Sequence, residues 1–170
     1  MTARLAILAL VLVTVAVLQT ALFPLVTLAG FRPDLLLLVV VMVAAHDGPM
    51  AGARVGAAAG LLADLLAVEA SAGLSLLVYA VVGHAVGVVR PYLAADSLTA
   101  PIVLAFASGV VATFAHGSLV TLLADVGVGA ELVVTGALAV GLYNALLAPL
   151  AGPPLRSLLD RHPLRGVVAE

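Results

Sequence analysis

Three ionisable side chains fall inside apolar stretches of this 170-residue chain: Asp64 among Leu61, Leu62, Leu65 and Leu66, His84 beside Gly83, and His116 beside Gly117 and Ser118. A charged aspartate at the centre of a membrane helix costs ~2.5–3.5 kcal/mol on insertion scales, so it has to face protein or water, or carry a proton. The chemistry open to Asp64 is a proton relay or an ion ligand; the structural roles are a polar clasp on a neighbouring helix or a wetted position near an interface. A relay requires partners, and the two histidines lie on other segments. A histidine metal site wants a second ligand at i+3 or i+4, and neither His84 nor His116 has one. Their spacing predicts hydrogen-bonded packing histidines, with no metal and no cofactor. A nucleophile, base and orienter close together are also missing, which argues against an enzyme. Asn144, after Tyr143, must find a partner within the surrounding helices.

The segment carrying Asp64 has a second pattern. GPMAGARVGAAAG places Gly48, Gly52, Gly56 and Gly60 four apart, and Asp64 is the next member of the row. Residues four apart sit nearly above one another on a helix, and glycine costs about 1 kcal/mol relative to alanine in an exposed helix, so the row needs a reason. In lipid, close backbone approach through small residues is a main source of helix association. Gly48 precedes Pro49 and belongs with the turn; Gly52, Gly56 and Gly60 predict a face stripped for contact, either with another span of this chain or with a partner's membrane helix. Ser75, Tyr79, Gly83 and Gly87 repeat the spacing in the following segment. Further upstream, Pro33 and Asp34 suit the first turn of a helix, where proline is tolerated and a carboxylate caps free N–H groups.

These residues need elements to hold them. Hydrophobic residues make up 64% of the chain and charged ones 9%, too few to keep a soluble domain of this size in solution, so the class is a polytopic membrane protein. Cysteine is absent, which removes disulfides and thiolate sites. A net charge of −2 with no basic run argues against nucleic acid. Apolar segments over about 5–22, 35–45, 55–68, 74–89, 102–124 and 132–150 predict one six-span transmembrane domain over 1–152, followed by a short tail over 153–170. The first segment is long enough to be a retained span, and no small-residue cleavage pattern follows it. The second is short, of a length that often marks a re-entrant or buried segment. Charge decides between the alternatives. If all six cross, Arg4, Arg54, Arg90, Arg156, Arg161 and Arg165 share one face and only Arg32 lies on the other, so the positive-inside tendency places both termini in the cytoplasm. The tail, with Arg156, Arg161 and Arg165 among leucines, is either a brief interfacial helix ended by Pro163 or a charge anchor.

An early Pro-Asp-Leu-Leu-Leu at 33–37, then Gly-x-x-x-Gly-x-x-x-Gly-Leu-Leu-x-Asp at 52–64, then Gly73 and Tyr79-x-x-x-Gly83, together resemble the MreD family of rod shape-determining membrane proteins. The likeness rests on ordered motifs over residues 1–90 and on span number and length beyond. It implies a non-enzymatic inner-membrane subunit of the bacterial cell-elongation (Rod) machinery that supports peptidoglycan synthesis. The implied partners are MreC, most directly, then the glycosyltransferase RodA with its partner transpeptidase, and the filament protein MreB. It also implies an all-α six-helix bundle similar to the substrate-binding subunits of energy-coupling-factor vitamin transporters. A vitamin-binding uptake subunit is accordingly the alternative function. With tryptophan absent and aromatics at 4%, the sequence supplies few of the platforms that such a pocket uses.

Overall fold

Every side chain from Leu36 to Ala44 is buried, and this short run is the axis about which the other helices gather. A helix apolar all round has no face to give to water and is stable only when enclosed. The computed structural model describes residues 2–21, 30–67, 73–93, 99–123 and 129–162. Its helices are α1 (Thr2–Ala21), α2 (Leu35–Asp47), α3 (Pro49–Leu66), α4 (Leu74–Val89), α5 (Ala100–Leu123) and α6 (Ala130–Arg161), with a short 3-10 turn at Arg90–Tyr92.

The helices alternate in direction. Arg4 meets Asp47 while Gln19 meets Leu35, so α1 and α2 are antiparallel. Gly52 lies against Gly83 and Gly60 against Ser75, which sets α3 antiparallel to α4. Gly109 against Gly141 and Gly117 against Val133 do the same for α5 and α6. Arg4, Arg54, Arg90, Arg156 and Arg161 therefore gather at one end of the bundle and Arg32 at the other. Among the described residues four helices, α1, α4, α5 and α6, are long and apolar enough to cross a membrane, and α2 is a shorter apolar helix. Large exposed side chains such as Leu10 and Val13 on α1, Val103 and Val111 on α5, and Leu142 and Leu146 on α6 form the apolar exterior that lipid would cover. The fold is an all-α, six-helix bundle of a polytopic membrane protein.

Two boundaries differ from the sequence reading. The gap between the expected segments 35–45 and 55–68 shrinks to Gly48, whose φ of 91° ends α2 and starts α3 in a single residue, with Pro49 in the first turn of α3. The last helix does not stop at 150. It runs to Arg161 through Pro149, Pro153 and Pro154, because Leu155 and Leu159 are buried against the core and hold the segment in place. Residues 163–170, including Pro163 and Arg165, lie outside the described residues, as do Leu22 at the end of the expected first span and residues 68–72 between α3 and α4.

Candidate functional site

The α3–α4 seam brings two small-residue rows together, backbone to backbone. A Cβ built on Gly52 would come within 3.0 Å of the Gly83 carbonyl, one on Gly56 within the same distance of the Tyr79 carbonyl, and one on Gly60 within it of the Ser75 carbonyl. The reverse side is as tight: a Cβ on Gly83 would strike the Gly52 carbonyl, and one on Gly87 would strike Pro49. Only glycine fits at such a distance, so each row is the complement of the other. A second seam of the same kind joins α5 to α6. A Cβ on Gly109 would meet the Gly141 backbone, and Ala105, Ser108 and Ala112 complete the buried face of α5. These residues recur at i, i+3, i+4 and i+7, a signal that was present in the sequence but lacks the strict four-residue beat of the first row.

Asp64, buried at the far end of the α3 row, accepts hydrogen bonds from the backbone N–H groups of Gly73 (3.0 Å), Ser75 (3.1 Å) and Leu76 (3.2 Å). The first N–H groups of α4 have no partner within their own helix, and Gly73 has no side chain to offer. A carboxylate carried by the neighbouring helix caps them and complements the helix dipole.

The start of α2 is capped from several directions. Asp34 Oδ1 accepts from Leu37 N–H at 3.1 Å, Gln19 Oε1 from α1 accepts from Leu35 and Leu36 N–H at 2.9 and 3.2 Å, and Asn144 Oδ1 from α6 accepts from the Asp34 N–H at 3.1 Å. Pro33 is fully buried next to this cap. The Tyr79 hydroxyl donates to Asp34 Oδ2, tying α4 to the start of α2. A cavity of about 320 Å³ opens beside this carboxylate, with Phe31, Ser75, Thr113, His116 and Val133 among its walls. His116 Nδ1 stands 3.5 Å from Ser75 Oγ across it.

At the other end of α2, Arg4 is buried and forms an ion pair with Asp47, while also donating to the carbonyls of Leu159 and His162 at the end of α6. His46 bridges outward, with Nδ1 2.7 Å from Asp47 Oδ1 and Nε2 2.8 Å from Asp160 Oδ1. Both bonds are donated only when the ring carries both protons. This cluster clamps α1, α2 and α6 together, and the sequence had shown Arg4 only as a flanking positive charge. His84, read as a packing histidine, is exposed on α4 instead, one position past the buried Gly83. Among the described residues no three acidic or histidine side chains converge to hold a metal.

A family model described as rod shape-determining protein MreD matches residues 1–160. No curated protein and no solved structure matches the chain.

Proposed function

This chain belongs to the MreD family, and we propose that it is a non-enzymatic subunit of the bacterial cell-elongation machinery, resident in the inner membrane with both termini in the cytoplasm. Its work is assembly: it binds MreC directly and, through MreC or beside it, RodA with its partner transpeptidase and MreB. The family is one of rod shape-determining membrane proteins, which supports the role in cell shape. The arginines gathered at one end of the bundle support the orientation.

One observation carries the mechanism. The glycine rows of α3 and α4 face each other at backbone contact, and so do the small faces of α5 and α6. Gly52, Gly56, Gly60, Gly83 and Gly87 then serve the inside of the molecule, and partners meet the outward side chains of the bundle. Two seams at backbone distance also make a stiff frame, because a close-packed interface has no slack to absorb movement. The likeness to energy-coupling-factor subunits belongs to this proposal at the level of fold and brings no vitamin with it.

The test is photocrosslinking in native membranes from probes placed singly on outward positions, Val13 on α1, Val111 on α5 and Leu142 on α6, and at the inward position Ala59 on α3. MreC captured from one or more outward probes and not from Ala59 is the expected result. Capture from position 59 with a wild-type level of folded protein would place the partner against the buried side of α3 and contradict the assignment.

A further inference from the structure

The Asp34 carboxylate is half-buried, lines the cavity between α2, α4, α5 and α6, and has no arginine or histidine within ion-pair distance among the described residues. A carboxylate partly withdrawn from water and without a countercharge carries a desolvation cost. Its two oxygens offer about four acceptor positions, of which the Leu37 N–H, the Tyr79 hydroxyl and the Gln19 side chain occupy three. The same residue lines the cavity. We propose that this cavity is a binding site for a small hydrophobic primary amine, held with its ammonium group on Asp34.

The walls fit that class. The Phe31 ring packs against the backbone of α6, since a Cβ on Gly136 would collide with it, and the buried Tyr79 also lines the cavity. Two aromatic groups beside one carboxylate are the usual surroundings of an organic cation, which gains from the ring faces as well as from the charge. Ala112, Leu132 and Val133 supply the apolar remainder, and Ser75 and Thr113 add two hydroxyl-bearing side chains to the lining. The volume of about 320 Å³ stands at the small end of ligand pockets, room for one ring and a short arm. His116 lies on the α5 wall, Gln19 and Asn144 cap the helix behind Asp34, and none of these three brings an obligatory positive charge. The site lies at the end of the bundle away from the Arg4 cluster, so ligand binding and the clamp at the other end of α2 are separate features.

The experiment uses the full chain in detergent micelles and three probes of matched shape: benzylamine, benzyl alcohol and benzoate. Calorimetric titration at neutral pH should show benzylamine binding at least about tenfold more tightly than benzyl alcohol, the scale of a charge-assisted bond, with benzoate weakest. Asp34→Asn keeps a good helix cap and should bring benzylamine down to the level of benzyl alcohol. Thr113→Phe fills the cavity from the α5 wall and should abolish binding of both, with helix content and thermal midpoint retained. Equal binding of amine and alcohol by the wild type, an amine preference that survives Asp34→Asn, or full binding by folded Thr113→Phe would each overturn the proposal. Should Asp34→Asn not fold, the probe series on wild type and Thr113→Phe still decides.

Discussion

Gly56→Ala replaces a poor helix former with the best one, and it should nonetheless destabilise the protein by about 2–4 kcal/mol. The new methyl would fall within 3.0 Å of the Tyr79 carbonyl oxygen, the Tyr79 carbonyl carbon and the Ala80 Cα, all backbone atoms that cannot rotate aside. Relief requires α3 and α4 to separate by roughly 1 Å, toward the 3.5–4.0 Å at which carbon atoms pack. Overpacking of this kind costs about 1–3 kcal/mol. Separation also stretches the bonds from Asp64 to the start of α4, now 3.0–3.2 Å, beyond useful length, and a bond to a charged group is worth ~1.5–3 kcal/mol. Against this stands a gain of at most about 1 kcal/mol from helix propensity. For a chain of this size the net loss corresponds to a fall of roughly 5–15 °C in thermal midpoint. The assay is the fraction of protein still monodisperse on size exclusion after heating in detergent, paired with hydrogen exchange at the Ser75 and Leu76 amides. An unchanged midpoint with undiminished protection at those two amides would refute the reasoning, because it would mean that the seam has slack.

Gly152→Ala is the opposite case. A Cβ there would meet only the Met42 sulfur, at 3.7 Å, so stability should hold or rise by up to about 1 kcal/mol, with the midpoint in the same heating assay unchanged or raised. Asp64→Asn keeps one acceptor oxygen for three N–H donors and should cost about 1–2 kcal/mol, whereas Asp64→Leu leaves all three unpaired and should cost about 3 kcal/mol or more; exchange rates at the start of α4 give the ranking directly. Arg4→Leu or Asp47→Leu alone should cost about 3–5 kcal/mol by leaving one buried charge unpaired, and the double substitution should recover much of that loss, which a double-mutant cycle on thermal midpoints would read.

The features legible in the sequence are those set by local spacing. Gly52, Gly56, Gly60 and Asp64 share a face because 3.6 residues make a turn, and the unbroken apolar run of α2 marks a helix that must be enclosed. Which surface each face meets is decided by residues far along the chain. Arg4 with Asp47 and the end of α6, or Asp34 with Tyr79 and Asn144, join positions separated by tens of residues, and no periodicity points from one to the other. The continuation of α6 beyond residue 150 has a different reason. Proline removes one hydrogen bond and crowds the preceding turn, which marks it as a breaker in a helix surrounded by water. Here Pro153 and Pro154 are exposed while Leu155 and Leu159 are buried against the core, so packing outweighs the loss.

The length of α2 explains why polar chemistry collects where it does. Its 13 residues span about 20 Å, some 10 Å less than the hydrocarbon core of a bilayer. A helix that short leaves its terminal N–H and C=O groups at membrane depth, where water is scarce and each orphan costs several kcal/mol. The surrounding helices meet that demand with side chains. Gln19, Asp34 and Asn144 do so at the start of α2, while at its other end Arg4 pairs with the Asp47 side chain and takes up carbonyls at the end of α6. Lengthening α2 by a full turn of leucines after Leu38 would push both clusters off their partners at once. That change should cost more than the removal of any single capping side chain, even though it adds apolar surface to the core.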